Sequence, residues 1–104
     1  MTGRGWVLHA VATYGLPMIG EAENFDPDRT VWVQVYELIR GRIERGEYEE
    51  RSALPSIYRL ADDIGVAHGT VRKVIAILAE EHVVRPISGK GTFVRPRSDW
   101  LDTV

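Results

Sequence analysis

The sequence predicts an α+β fold, mainly α, in which three helices precede a C-terminal β-hairpin. Apolar residues recur at helical spacing in three separate stretches, and glycine follows the last periodic residue of two of them. After Glu80-Glu81 the pattern changes to short β-like runs around a glycine-containing turn. The second and third helical stretches are separated by only about four residues, the spacing of a helix-turn-helix unit. With the hairpin added, the ground plan is a three-helix winged helix-turn-helix, and its expected ligand is DNA.

In the first stretch, Asp26-Pro27 reads as an N-cap with proline in the first turn, and Val31, Val35, Leu38, Ile39 and Ile43 form one stripe that ends before Gly46. This helix would scaffold the other two. Ser56 then caps a short helix whose apolar face is Ile57, Leu60, Ala61 and Ile64, and Gly65 supplies the left-handed residue that ends it. Val66 turns inward between the helices. Val71, Val74, Ile75 and Leu78 set the inner face of the third helix, about residues 67–81, leaving His68, Gly69, Arg72, Lys73 and Ala76 on other faces. In such a unit this helix enters the major groove by its N-terminal residues. The wing spans residues 85–95, with strand-like runs Val83-Val84-Arg85 and Thr92-Phe93-Val94. Gly89 and Gly91 allow close backbone approach, and Lys90 at the tip, with Arg85, Arg95 and Arg97 nearby, supplies cations for phosphates.

The blocks Leu-Pro-Ser, Leu-Ala, Ile-Gly-Val, Gly-Thr-Val-Arg-Lys, Leu-Ala-Glu-Glu and Gly-Lys-Gly-Thr-Phe-Val, in this order between Leu54 and Val94, resemble the DNA-binding domain of GntR-type bacterial transcription regulators. The upstream helix and the stretch Ile43 to Tyr48 are similar too, so the resemblance covers roughly Val31 to Pro96. It implies a repressor-like protein on a short, often palindromic operator. The chain also departs from the family. Where the family usually has Glu-Arg after Leu-Pro-Ser, here stand Ile57 and Tyr58, with Arg59 one residue late; where it has Ser or Thr and then Arg before Gly-Thr-Val-Arg, here stand Ala67 and His68. Two family positions for arginines, which can grip guanine with two hydrogen bonds, thus hold a phenol and an imidazole. The usual Pro-Gly after the tyrosine is Glu50-Arg51, and the usual glycine before the wing is His82. These changes imply an altered operator preference on the same fold.

Composition narrows the function further. One small domain fits in 104 residues, and with no cysteine there is no disulfide framework, thiol catalysis or cysteine-based zinc site. The formal net charge of −2 is unevenly spread. From Leu54 to Arg97 the cations Arg59, Arg72, Lys73, Arg85, Lys90, Arg95 and Arg97 outnumber the acids Asp62, Asp63, Glu80 and Glu81, whereas residues 21–28 hold acids and no base. Residues 1–25 read as an N-terminal extension, 26–97 as the DNA-binding domain and 98–104 as a short tail. The apolar run from Trp6 to Ile19 is too short and too broken for a membrane span or a secretion signal, and a cytoplasmic protein is expected.

The residues assigned to DNA are Ser56, Tyr58, Arg59, His68, Gly69, Thr70, Arg72, Lys73, Ser88, Gly89, Lys90, Gly91 and Thr92. Gly89-Lys90-Gly91-Thr92 is not a phosphate loop of the nucleotide-binding kind, because a strand pattern follows it. The acidic pairs lack any nucleophile or metal partner, so no enzyme, no cofactor and no metal are expected. Dimerisation to match a palindrome would draw on the N-terminal extension, the first helix, or the tail with Trp100 and Leu101. The eight residues after Pro96 leave no room for an effector domain, and no small-molecule effector site is evident. A second reading is a winged-helix protein interaction module or accessory factor that pairs with a full-length regulator.

Overall fold

A computed structural model describes residues 21–101, so most of the predicted N-terminal extension lies outside the described residues. Three α-helices, α1 (Val31–Glu44), α2 (Ile57–Ile64) and α3 (His68–Glu80), precede the antiparallel strands β1 (Val84–Ile87) and β2 (Gly91–Val94). The predicted class and element order hold. Short 3₁₀ turns at Glu21–Asn24 and Arg97–Asp99 flank this set.

The helices bury the stripes read from the sequence. Val35, Ile39 and Ile43 of α1 meet Leu60, Ala61 and Ile64 of α2 and Val71, Val74, Ile75 and Leu78 of α3 in one core, closed from the wing side by Val83, Val84 and Val94. The start of α1 differs from expectation. It begins at Val31 after an extended Thr30, not at Asp26-Pro27. Residues 26–29 instead form a turn that folds back onto the Gln34 side chain. The Asp26 N–H donates to Gln34 Oε1 at 2.7 Å, and Gln34 Nε2 donates to the carbonyls of Asp26 and Arg29, each at 3.1 Å. A buried glutamine thus satisfies the groups that an extra helical turn would have satisfied, and a local propensity reading has no access to such a side-chain contact.

All three helices end in the same way. Glu47, Val66 and Val83 N–H groups reach back to the carbonyls of Arg42, Ala61 and Leu78 at 2.9, 3.0 and 2.9 Å, the outer bond of a Schellman closure. Each closure needs a left-handed residue one position earlier: Gly46 at φ +81°, Gly65 at φ +89°, and His82 at φ +60°. The third helix therefore ends on a residue with a Cβ where the other two have none. Arg51, at φ +67°, is the other non-glycine in this region among the described residues. Such a conformation costs a side-chain-bearing residue about 1 kcal/mol or more. Both positions are those where the sequence departs from a family glycine.

The wing, read as residues 85–95, spans Val84 to Val94, and its strands are each one residue longer than the runs read from the sequence. β1 starts one residue later than expected and runs through Pro86, in register Val84 with Val94, Arg85 with Phe93, Pro86 with Thr92 and Ile87 with Gly91. Proline is tolerated there because β1 is an outer strand with no neighbour beyond it. β2, by contrast, is lined on its other side by residues 51–54. Arg51 and Leu54 N–H groups donate to Val94 and Thr92 carbonyls at 2.7 Å, Val94 N–H donates to Ser52 at 2.9 Å, and Ala53 bridges Phe93. At the tip, Lys90 N–H closes the Ile87–Lys90 turn at 2.9 Å with Gly89 at φ +78°, the sign that a type II turn requires at its third residue.

The tail packs onto the domain as far as Leu101. Trp100 Nε1 donates to the Arg95 carbonyl at 3.0 Å, and Leu101 N–H to the Glu81 carbonyl at 2.9 Å. The Trp100 ring lies 4.5 Å from the Arg97 guanidinium and 5.5 Å from that of Arg40. Arg40 in turn donates to Glu81 at 2.7 Å, beside the Tyr36 hydroxyl, which donates to the same Glu81 oxygen at 2.5 Å. The Trp100 ring, in one of the three segments offered for dimer contacts, is engaged within its own chain.

Candidate nucleic-acid interface

The exposed surface at the turn between α2 and α3 is built by two helix starts. Ser56, extended at φ −61° and ψ 159°, caps α2 by accepting from Arg59 N–H at 3.1 Å. Its hydroxyl is thereby engaged in the fold. Ala67 starts α3 in a similar extended conformation but has no side chain to cap with, so the first N–H groups of α3 keep their hydrogen-bonding capacity. The helix dipole makes this end partially positive.

The predicted site residues divide into three groups. Gly69, Arg72 and Lys90 are exposed, and neither Arg72 nor Lys90 has an acidic partner among the described residues. A Cβ built on Gly69 would meet nothing within 4 Å, so the domain itself does not require glycine there. Gly89 and Gly91 have the same open space, but their φ values of +78° and +118° account for them through the backbone alone. Ser88 is exposed beside them, and Thr70 and Thr92 are half-buried.

The second group is engaged with neighbours. Tyr58 and His68 meet edge to face across the α2–α3 junction, ring centroids 4.6 Å apart at 89°. Tyr58 is nevertheless 57% exposed. His68 Nε2 lies 3.9 Å from Asp62 Oδ1. The two positions where the family usually has arginine therefore form one contacting pair. Arg59 sits 3.3 Å from both carboxylate oxygens of Asp63 one turn on, a pairing between exposed groups that competes only weakly with other anions.

Lys73 makes up the third group. Its ammonium stands 4.3 Å over the Trp32 ring of α1, a cation–π contact that points it back across the helical pair. Sequence reading missed Trp32 because the two residues are far apart in the chain. It could have found the Arg59–Asp63 pair, which has the (i, i+4) spacing.

On the wing face carrying Arg85 and Phe93, an open cleft of about 420 Å³ has Arg51, Arg85, Ile87, Phe93, Arg95 and Asp99 in its lining. Arg95 pairs with Asp99 at 3.3 Å, while Arg51 and Arg85 have no acidic partner among the described residues. No group of His, Cys, Asp and Glu side chains able to hold a metal occurs among the described residues. No helix among them is long and apolar enough to cross a membrane.

The family model for bacterial regulatory proteins of the gntR family matches residues 32–94. The chain belongs to the gntR family. An uncharacterized HTH-type transcriptional regulator of Rhizobium meliloti is 39% identical over 64 residues, which is 62% of this chain and 26% of that protein. The mannosyl-D-glycerate transport/metabolism system repressor MngR of Escherichia coli is 34% identical over 67 residues, 64% of this chain and 28% of that repressor. The chain thus spans little more than a quarter of these gntR relatives. Among solved structures, the AraR DNA-binding domain in complex with operator ORX1 superposes with a TM-score of 0.61 at 28% identity, covering 67% of this chain and 90% of that one. The matched region coincides with α1 through β2, so the winged helix-turn-helix described above is the family's domain.

Proposed function

We propose that this gntR-family chain is a sequence-specific DNA-binding transcriptional regulator, acting as a repressor, without catalytic activity. In this reading the first turns of α3 enter the major groove and the wing lies on the adjacent backbone or minor groove. The observation that carries it is the start of α3, where uncapped N–H groups, an exposed glycine that no internal contact needs, and an unpaired Arg72 face outward together. Free N–H groups at a positive dipole end suit a phosphate, the open glycine suits a closely approaching backbone, and Arg72 suits a base edge or phosphate.

Within that frame Gly69, Thr70 and Arg72 are assigned to the groove, Tyr58 and His68 to base reading as a pair, and Ser88 to Thr92 to the wing contact. Ser56 and Arg59 act at the rim through the start of α2. Lys73 contributes least, because its charge is already over Trp32. The protein works in the cytoplasm on chromosomal DNA, and a homodimer would match a palindromic operator. Support comes from MngR, named a repressor, and from AraR, whose similar domain is bound to an operator. Those two observations favour DNA binding over the interaction-module reading.

The test is selection of bound sequences from a random duplex pool, followed by footprinting. One enriched half-site, or two spaced by whole helical turns of about 10 base pairs, is the expected outcome. No enrichment, together with no duplex binding at low salt, refutes the reading.

A further inference from the structure

The cleft on the wing holds none of the residues assigned to DNA above, except that Arg85 and Arg95 are read from the sequence as cations for phosphates, and one of its residues, Arg51, is held in an unfavourable backbone conformation. Arg51 sits at φ +67° at the start of the segment 51–54 that lines β2, where glycine would be relaxed. Its N–H donates to the Val94 carbonyl at 2.7 Å, and this bond fixes the turn. A strained residue that persists where an unstrained one would fit points to a role for its side chain. That side chain lines the same cleft as Arg85 and Arg95, around the half-buried Phe93.

We propose, building on the DNA-binding reading, that this cleft is a second phosphate-binding surface, distinct from the start of α3. It grips the sugar-phosphate strand beside the wing through Arg51 and Arg85. A hairpin entering a minor groove about 6 Å wide has a phosphate strand along each face, so cations on this face meet one of them. Arg85 and Phe93 are cross-strand partners, which puts the guanidinium on the same face as the ring. Arg51 and Arg85 carry charges uncompensated by any described acid, whereas Asp99 neutralises Arg95. The surface thus contributes two full phosphate contacts and holds a third cation in reserve.

The experiment measures the salt dependence of binding to the selected duplex for the wild-type chain and for Arg51→Gly, Arg85→Gln, the double variant and Asp99→Asn. Each neutralised phosphate steepens the slope of log K against log salt by about 0.9. Arg51→Gly and Arg85→Gln are each expected to make the slope shallower by about 0.9, and the double variant by about 1.8. Asp99→Asn, by releasing Arg95, is expected to steepen it. Arg51→Gly also relieves the backbone, so an undiminished melting temperature separates lost binding from lost folding. Wild-type slopes in the Arg51 and Arg85 variants overturn the proposal while leaving the α3 site intact. So does a loss confined to binding of polyglutamate, which would assign the cleft to an acidic protein. A wild-type chain that binds no duplex at all overturns the DNA reading itself, and this proposal with it.

Discussion

Replacing His82 by glycine should make the protein more stable. The residue stands at φ +60° in the closure of α3, where Gly46 and Gly65 serve α1 and α2. Both closing bonds, His82 N–H to Ala79 at 3.1 Å and Val83 N–H to Leu78 at 2.9 Å, are made by the backbone and survive the change. Relief of the left-handed conformation is worth about 1 to 2 kcal/mol. Against it stands the greater freedom of glycine in the unfolded chain, about 0.5 to 1 kcal/mol. The balance lies between zero and a gain of about 1.5 kcal/mol, centred on about 0.5 to 1 kcal/mol. For a domain of this size that is a rise in Tm of about 2 to 8 °C. Circular dichroism melts and urea titrations of His82→Gly measure it, with Gly65→Ala as the converse. That variant places a Cβ at φ +89° and should lose about 1 kcal/mol. A lower Tm for His82→Gly, or an unchanged one for Gly65→Ala, would show that these closures do not have the strain assigned to them.

Gly69→Ala should act in opposite directions on two measurements: Tm rises by a few degrees, because alanine favours a helix by up to about 1 kcal/mol, while operator affinity falls in fluorescence anisotropy. Affinity equal to wild type would remove the close backbone approach from the mechanism. Arg72→Ala is expected to weaken operator binding by about 1 to 3 kcal/mol, and Lys90→Ala to flatten the salt slope by about 1; equal behaviour on operator and random duplex in the Arg72 variant would make it a phosphate contact only. Lys73→Ala should cost about 0.5 to 1 kcal/mol of stability through the lost Trp32 contact, with less effect on DNA than Arg72→Ala. Burial, then the hydrogen bond to Glu81, holds the Tyr36 phenol above its usual range despite Arg40. A raised folded-state value means that its stabilising contribution is complete below the unfolded value and is lost as pH rises through the folded one. Stability should therefore decline in the alkaline range above about pH 10, less so in Tyr36→Phe, as followed by denaturant titration at several pH values.

The parts of the fold readable from sequence were those that local physics specifies. Ser56 and Gly65 mark the ends of α2 because a hydroxyl cap and a left-handed residue are single-residue decisions. The apolar stripes need only spacing. Contacts between distant segments left no such trace. The start of α1 moved because Gln34 folds the preceding turn onto itself, and the strand pairing of residues 51–54 with β2 is invisible in a stretch without alternation. On the candidate surface, Arg72, Lys73 and Lys90 are all exposed. Residue types did not separate Lys73 from the other two, because only the packing of α1 on α3 brings it over Trp32. Arg51 stood out only as the replacement of a family glycine, and its positive φ is a matter of backbone geometry.

Glu81 joins three parts of the molecule in one residue. Its carboxylate holds Arg40 and Tyr36 of α1, its carbonyl receives Leu101 N–H, and its backbone forms the C-cap of α3. The path by which the chain leaves the domain is therefore anchored at the far end of the same helix whose beginning faces the proposed DNA. Glu81→Ala should therefore loosen α1 from the last turn of α3 while leaving in place the Leu101 bond, which is made by the backbone.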